Sequence, residues 1–391
     1  MVDLPEHSPL GGSGMSRWMK CPGSVGLSEG IKDSASEYAA LGTAAHYYAD
    51  LCLTDGLDAW QFIGRFAPDV NNGEPMDKDM ADAVQAYLDA IRIAHPDRDD
   101  GNFFIERGFH CPDIHKYFYG RLDCTYIDAA HKTLHVWDYK HGAGIVVDVK
   151  ENPQCMYYGV GALTEFDLWE KVDTVVLHIV QPRGFHFDGP VRSWSISTDD
   201  LALWVSNVLM PAMTLATVSR DTMSGEHCRF CPARTMACPQ IVEDFDELEK
   251  LMATAVEKGG AKELTSVQLG RFLNLFDTAK IIQKAANETV FNRLSAGKEV
   301  PGRKLAHART NREWKEGAQA QLRNKFGHKA FTEPKLKTPA GIEKLPEGKA
   351  WSSRWAFKPD GGLCVVAAGD ARAAVNKDTK ALFKPVKKGK K

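Results

Sequence analysis

The stretch Gly120–Lys140 constrains this chain most, because it predicts two strands joined by a turn. Side chains alternate between the two faces of a strand, so Asp138 and Lys140 should point the same way. A hairpin would bring Asp123, from the first strand, alongside them. Carboxylate oxygens suit hard cations such as Mg²⁺, and a lysine beside such an ion can orient a water or a phosphate oxygen. The pattern therefore indicates a metal site at a strand end. The alternative is a surface hairpin whose charges face solvent.

The composition is that of an ordinary soluble protein. The chain has 391 residues, 43% hydrophobic and 26% charged, which suffices for one large domain with appendages or for two domains. No apolar run looks long enough to span a bilayer and no signal-peptide core is present, so we expect a cytoplasmic protein without a membrane partner. The net charge of −2 gives no global basic field. Contact with nucleic acid would therefore need a local patch or metal ions that neutralise phosphate.

Hydrophobic periodicity predicts the elements on both sides of the hairpin. These are helices over 37–55, 76–94, 153–166 and 201–220, and strands over 102–111, 173–181 and 191–197. The apolar run over 173–181 is typical of a strand buried on both faces. Because a helix separates it from the hairpin, it should run parallel to a neighbouring strand. We therefore predict an α/β fold with a mixed central sheet flanked by helices.

The hairpin resembles the PD-(D/E)XK nuclease superfamily, in which a G-x-x-D strand is followed by a strand that ends in D/E-x-K. The matching residues are Gly120 with Asp123, and Asp138 with Lys140. Many members have Glu where this chain has Asp138, and both residues can bind a metal ion. The resemblance implies a restriction-endonuclease-like core.

Three further segments resemble the RecB-like branch of this superfamily. Gly42 and His46 lie one helical turn apart, and the resemblance implies that His46 reaches the metal site from a helix. Glu106 lies mid-strand, where the branch often carries an acidic residue near the active site. Gln154 and Tyr158 match a Q-x-x-x-Y motif whose side chains position DNA. Without the resemblance, each would be taken as an ordinary structural or solvent-facing residue.

Three of the nine cysteines form a cluster, Cys228, Cys231 and Cys238. In a cytosolic chain such spacing indicates metal ligation rather than disulfides. Zinc needs four ligands and a 4Fe–4S cluster usually takes four cysteines, so a fourth ligand must come from elsewhere. His227 could complete a zinc site at short range, and Cys21 is the other candidate.

One early and three late cysteines that bracket the core resemble the iron–sulfur staple of AddB-type and CRISPR-associated RecB-like exonucleases. The resemblance implies a 4Fe–4S cluster on Cys21, Cys228, Cys231 and Cys238, with Zn²⁺ as the alternative. We predict four regions: a flexible N-terminus over 1–15, a nuclease domain over 16–240, a helical region over 241–330 and a Lys/Pro/Gly-rich, largely flexible tail over 331–391.

These segments together resemble a bacteriophage and prophage family of RecB-like proteins. The resemblance implies a Mg²⁺- or Mn²⁺-dependent DNA exonuclease of phage recombination in the host bacterial cytoplasm, with a single-strand-annealing or single-strand-binding protein as partner. Asp123 and Asp138 would bind the metal, His46 and the Tyr139 carbonyl would complete its shell, and Lys140 would position the attacking water. Two alternatives stay open: a noncatalytic DNA-binding or scaffold protein, and a zinc-stapled structural protein. Cleavage polarity, strand preference and exonuclease versus endonuclease mode also stay open.

Overall fold

A computed structural model of the protein describes residues 5, 7–31, 37–68, 70, 74–99, 101–235, 238–309, 312–315, 317–332, 335–357 and 363–367. The chain divides into two compact units, Met1–Ile281 and Ile282–Lys391. The boundaries at 240 and 330, which the resemblance and the change of sequence pattern suggested, stay predictions.

The first unit is built on a five-stranded mixed sheet. Its strands, in spatial as well as chain order, are β1 (Phe103–His110), β2 (Tyr119–Asp128), β3 (Thr133–Tyr139), β4 (Thr174–Val180) and β5 (Val191–Ser197). Strands β3 and β4 are parallel, and the other neighbours are antiparallel. The carboxyl ends of β3 and β4 therefore meet at one edge of the sheet, where the Lys140 N–H donates to the Val180 carbonyl at 2.9 Å. The predicted α/β fold with a mixed sheet is confirmed.

The sheet is accompanied by helices, of which Glu37–Asp55 and Lys78–Ala94 pack on one face and Pro153–Glu165 on the other. In chain order they are α1 (Met15–Trp18), α2 (Ser24–Ser28), α3 (Glu37–Asp55), α4 (Lys78–Ala94), α5 (Pro153–Glu165), α6 (Thr198–Trp204), α7 (Met210–Val218) and α8 (Pro239–Glu257), followed by α9 (Ser266–Ser295), in which the boundary between the units falls. Helix α5 is the crossover from β3 to β4. It begins after Asn152, whose side chain accepts hydrogen bonds from the N–H groups of Gln154 and Cys155.

Alternation along β3 divides the core into two layers. Leu134 and Val136 pack in the cluster that contains α5, whereas Trp137 and Tyr139 pack in the cluster that contains α3 and α4. Asp138 has the parity of the first pair, so its side chain lies on the α5 side of the sheet. The strand period thus fixes which helix faces the candidate site.

Part of the stretch that we expected to be flexible, residues 1–15, is packed instead. Leu10 and Met15 are fully buried in the cluster that contains α5, together with Trp18. Gly12 lies so close to Tyr158 that an added Cβ would stand 3.2 Å from that ring. The apolar residues here are too sparse to form a periodic pattern, so the sequence did not reveal this contact. Residues 1–4 and 6 lie outside the described part.

Helices α6 and α7 are joined by a π-helical turn that ends at Leu209, two residues before Pro211, and they run continuously over Thr198–Val218. By length and composition this stretch could cross a membrane, so the expectation that no run is long enough was wrong. Leu201, Leu209 and Met213 on this helix are fully buried in the cluster that contains α5. These three residues contribute to the core, whereas 28% of the apolar window in this stretch is buried overall.

The second unit contains short helices and paired short strands. The helices are α10 (Ala318–Phe326), α11 (Pro339–Ile342) and α12 (Gly348–Trp355), and the strand pairs are β6 (Arg303–His307) with β11 (Leu363–Ala367), β7 (Glu313–Trp314) with β10 (Ala356–Phe357), and β8 (Phe331–Thr332) with β9 (Lys335–Leu336). A small cluster that includes Ala318, Leu322 and Ile342 forms its core. Residues 335–357 are thus folded, in contrast to the flexible tail expected from 331 onward. Residues 368–391, including the basic end, lie outside the described part.

Candidate functional site

Strand register brings the two aspartates of the hairpin together. Cys124 of β2 pairs with Trp137 of β3, and Asp123 and Asp138 are the first residues beyond this pair on the two strands. The Asp123 side chain crosses to β3, where its Oδ2 accepts a hydrogen bond from the Tyr139 N–H at 2.8 Å. The other oxygen of this carboxylate, Oδ1, takes no part in that hydrogen bond. The hairpin therefore fixes one aspartate directly against the backbone that carries the other.

A chain of polar contacts connects this strand end to helix α5. The Lys140 Nζ lies 2.8 Å from Asp138 Oδ2 and 3.1 Å from Oδ1. The same amine donates to Gln154 Oε1 at 3.0 Å, and Gln154 Nε2 donates to the Tyr158 hydroxyl at 3.2 Å. Gln154 and Tyr158 can bond because residues four apart share one helical face. Four of the residues singled out in the sequence therefore meet in one network.

The electrostatics of this network favour a cationic lysine beside a carboxylate that is short of partners. Burial alone would lower the pKa of Lys140, but the Asp138 carboxylate and Tyr158 raise it above its usual value. Burial raises the pKa of Asp138, which Lys140 opposes. Apart from the Lys140 ion pair, the buried Oδ2 of Asp138 has no hydrogen-bond partner among the described residues. Such an oxygen suits a bound cation.

A second set of donors faces Asp123. One ligand atom each from His46, Glu106 and Asp123 lie within 4.8 Å of one another, the one such set of three found in the described part of the chain. The His46 Nδ1 is 3.6 Å from Asp123 Oδ1, and this histidine reaches the sheet from α3. Carboxylate oxygens with an imidazole are a donor set that Mn²⁺ accepts, and Mg²⁺ accepts the oxygens. The donor set therefore fits a divalent ion.

Glu106 has an unusual backbone. Its φ is 47°, in the left-handed region that a glutamate seldom adopts, between two residues of β1 that pair regularly with β2. Burial and the Asp123 carboxylate raise the pKa of Glu106 to about 7. Strained backbone of this kind is typical of functional sites. The structure therefore places Glu106 beside Asp123, as the acidic residue expected in the first strand.

Two residues near the strand end, His141 and Arg183, were not predicted from the sequence as part of the site. The Tyr139 hydroxyl lies 2.9 Å from His141 Nδ1, and Arg183 Nη1 lies 2.7 Å from His141 Nε2. Burial, with the Arg183 charge, lowers the pKa of His141 to about 4, so the ring is neutral and can accept from Arg183. The Tyr139 side chain thus packs on the α3 and α4 side, and its backbone is the part that faces Asp123. The one sequence signal for these contacts is the position of His141, directly after the D-x-K motif.

The four cysteines meet in a separate pocket. Cys21, Cys228, Cys231 and Cys238 all line it, and the Met223 N–H lies 3.4 Å from Cys21 Sγ. The turn after Cys21 is held tightly, because the Gly23 N–H donates to the Asp221 carbonyl at 2.8 Å and an added Cβ at Gly23 would stand 2.6 Å from the Arg220 oxygen. The fold therefore joins the early cysteine to the late three.

The described sulfurs of this pocket do not include three that are mutually close. No three of the four, all in the described part, lie within 4.8 Å of one another. A tetrahedral zinc ion with Zn–S bonds of about 2.3 Å would hold its sulfurs about 3.8 Å apart. His227 also lines the pocket, but its Nε2 lies 2.7 Å from the Met223 carbonyl, which leaves only Nδ1 for a metal. Burial raises the pKa of Cys228 to about 11, so a bound metal would have to displace the thiol proton.

Comparison with known proteins identifies one family, and the matched residues include those of both sites. No solved structure matches the chain. Residues 7–373 match the family described as "Protein of unknown function (DUF2800)", whose description specifies no activity. Because this match extends over nearly the whole sequence, the chain belongs to the DUF2800 family.

Proposed function

We propose that the chain is a metal-dependent deoxyribonuclease with a PD-(D/E)XK core, acting as an exonuclease on DNA ends during phage recombination. The observation that carries this proposal is the position of the Lys140 amine, between Asp138 and Gln154 and one strand pair from Asp123. A solvent-facing hairpin would not bury Asp138 to 4% exposure beside an amine. A purely structural ion pair would not need a strained glutamate and a histidine that converge on Asp123 in the neighbouring strand.

The proposal assigns the metal ligands to residues of β1, β2, β3 and α3. The metal ligands would be Asp123 and Asp138, with His46, Glu106 and the Tyr139 carbonyl completing the set. A Mg²⁺ or Mn²⁺ ion bound there supplies polarisation of the scissile phosphate and a water of lowered pKa.

The contacts of Lys140 suit it to electrostatic stabilisation. Its raised pKa keeps the amine charged, so it can orient a water or offset charge that develops on the phosphate. Gln154 holds the amine in place, and Tyr158 holds the amide of Gln154. These two residues therefore have positioning roles, and their exposed atoms can also contact the DNA backbone.

The proposal includes a 4Fe–4S cluster on Cys21, Cys228, Cys231 and Cys238. Four cysteines that line one pocket are the usual ligand set of a 4Fe–4S cluster, and Zn²⁺ is the alternative. The cluster would fasten the N-terminal segment to the residues that follow α7. Anaerobic purification tests this directly, since a protein that carries the cluster is brown and a zinc protein is colourless.

A noncatalytic DNA-binding or scaffold protein with the same fold is the second candidate. A degenerate site should lack at least one of its groups, whereas Asp123, Asp138, Lys140 and His46 are all present and close together. We place the reaction in the host bacterial cytoplasm, with DNA as substrate and a single-strand-annealing or single-strand-binding protein as partner.

Digestion of end-labelled linear and closed circular DNA tests the proposal. Wild type purified without oxygen is compared with Lys140→Ala in Mg²⁺ or Mn²⁺. The control is Lys171→Ala, which removes an exposed lysine that pairs with Asp167 before β4 begins. Loss of linear DNA alone, abolished only in Lys140→Ala, is the expected result. Cleavage of the circle would change the mode to endonuclease, and no cleavage by the cluster-loaded wild type would favour the noncatalytic alternative.

A further inference from the structure

The loop between β4 and β5, residues 181–190, exposes two phenylalanines. Phe185 is 90% exposed and Phe187 is 87% exposed, although only one residue separates them. That residue, His186, is nearly buried, with a side chain only 10% exposed. Single exposed apolar residues are common on protein surfaces. Two exposed rings on either side of a buried anchor indicate a surface with a function.

The loop is held in place by hydrogen bonds, so this exposure is part of the fold. The His186 Nε2 lies 3.0 Å from Asp148, and two turns close at Gly184 and at Gly189, whose φ of 88° suits glycine. Buried Arg192 donates to the Gly189 and Val147 carbonyls at 2.9 Å each. The two phenylalanine rings are therefore presented by a fixed backbone.

The loop also lies at the edge of the sheet that carries the candidate site. It begins at Gln181, directly after Val180, whose carbonyl accepts from the Lys140 N–H. The Gln181 side chain donates to the Gly142 carbonyl at 2.9 Å, which ties the loop to the segment after Lys140. Five residues of extended chain reach at most about 18 Å, so Phe185 lies within about five base-pair rises of Val180, where β4 ends.

A cation lies in the same loop. Arg183 uses Nη1 to contact His141, and its guanidinium has further donors. Asp148 and Asp188 face His186, at 3.0 Å and 3.8 Å. Asp79 and Asp82 of α4 line a groove together with Arg183. Aromatic rings beside an arginine form the usual binding surface for single-stranded nucleic acid, because every base has a face that can stack and the cation attracts the backbone.

We propose that Phe185 and Phe187 form a stacking platform for unpaired bases of the DNA strand whose backbone enters the candidate site. This inference rests on the proposed nuclease function for its ligand, and it specifies the substrate class: DNA ends with unpaired bases, such as overhangs or frayed termini. The platform is insensitive to sequence, since stacking does not distinguish hydrogen-bonding edges.

Binding measurements without catalysis test the platform. Single-stranded and blunt duplex oligonucleotides carrying 2-aminopurine near one end are titrated in Ca²⁺ or in chelator. The doubly substituted Phe185→Leu/Phe187→Leu protein keeps apolar side chains but loses both rings, whereas Phe185→Trp/Phe187→Trp keeps rings. The control is Ile93→Ala, which changes an apolar residue that is 80% exposed. Ile93 lies at the end of α4, about 20 Å along the helix from Asp79, and Asp79 lines a groove with Arg183. The control is therefore distant from the loop.

We expect the leucine variant to bind single strands at least about tenfold more weakly and to lose the 2-aminopurine quench. The tryptophan variant and Ile93→Ala should bind like wild type, and blunt duplex binding should change less than about threefold in all of them. Wild-type affinity and quench in the leucine variant would overturn the platform. The same result accompanied by altered self-association would instead indicate a protein-binding surface.

Cleavage assays on the same proteins separate this inference from the proposed function. If wild type binds single strands through the rings but never cleaves in Mg²⁺ or Mn²⁺, the nuclease proposal fails and the platform stands. If all variants bind and cleave overhang substrates equally, the nuclease stands and the platform fails. If wild type binds no DNA, both fail.

Discussion

The carboxylate site and the cysteine pocket differ in what holds them together. At the carboxylate site, strand register and protein hydrogen bonds position Asp123, Asp138 and Lys140. In the cysteine pocket, residues that are distant in sequence meet, such as Cys21 and Met223, which are 202 positions apart. The cysteine thiols that line this pocket form only weak hydrogen bonds. We therefore expect the first site to keep its geometry without metal and the second to depend on its metal for stability.

The largest expected effect is on cleavage by Asp138→Asn. The amide cannot bind the metal as a carboxylate does, so cleavage of linear DNA should fall about 10³-fold, equivalent to about 4 kcal/mol in the barrier. Folding should be retained, because the amide oxygen can still accept from Lys140. Kinetic assays beside thermal unfolding measure both. The matched control is Asp173→Asn, an exposed aspartate that pairs with Lys132 where β4 begins.

Asp138→Ala tests the same residue through its effect on Lys140, which loses its counterion. The Lys140 amine would be partly buried without its counterion, so the protein should be less stable than Asp138→Asn. Adding Lys140→Met should recover stability without recovering cleavage. Recovery of cleavage in the double variant would contradict a direct role for either residue.

The next effect is on stability, in Cys228→Ser/Cys231→Ser. Loss of the cluster should remove the brown colour and lower the melting temperature by about 10 °C, because metal binding contributes directly to folding free energy. Cys52→Ala, at a fully buried cysteine in the cluster that contains α3 and α4, should keep the colour. A colourless wild type with full zinc content would contradict the cluster, and unchanged stability in the double variant would contradict the comparison.

A smaller effect is expected for Gln154→Ala. Without its amide, the Lys140 amine loses the contact that holds it on the α5 side, and cleavage should fall about 10- to 100-fold, as for groups that orient a metal site. Gln154→Glu should recover binding of the amine. Tyr158→Phe removes only the hydroxyl that holds Gln154 and should cost a few-fold in rate. Cleavage at the wild-type rate by Gln154→Ala, Gln154→Glu and Tyr158→Phe would show that the network has no positioning role.

The smallest effect concerns Asn152→Ala, which removes the cap of α5. The free energy of unfolding should fall by about 1 kcal/mol, because the Gln154 and Cys155 N–H groups lose their acceptor. Asn152→Asp keeps an acceptor and should be neutral. Denaturant unfolding measures the difference. A cleavage loss larger than that of Gln154→Ala would indicate that Asn152 itself contacts substrate.

Much of the sheet could be predicted from sequence because its signals are local. Strand alternation placed Asp138 and Lys140 on one face, and the apolar run after α5 gave the parallel strand β4. The i, i+4 spacing placed Gln154 and Tyr158 on one helical face. These features depend on periodicity within one segment or between neighbours in the chain.

Features that depend on distant segments escaped prediction. The burial of Leu10 and the approach of Gly12 to Tyr158 join residues about 150 positions apart, and no local pattern signals them. The contact between His141 and Arg183 likewise depends on β3 and β4 ending at the same edge. The left-handed φ of Glu106 is imposed by its surroundings, because no residue in the segment itself favours it.

Cleavage of end-labelled linear DNA by Asp123→Asn, with Mg²⁺ and then with excess chelator, tests the central claim most directly. Wild type should release the label only with metal, and Asp123→Asn should release at most about one thousandth as much in the same time while it unfolds at the wild-type temperature. Wild-type rates in Asp123→Asn, or cleavage that persists in chelator, would contradict a metal-dependent site at this strand end.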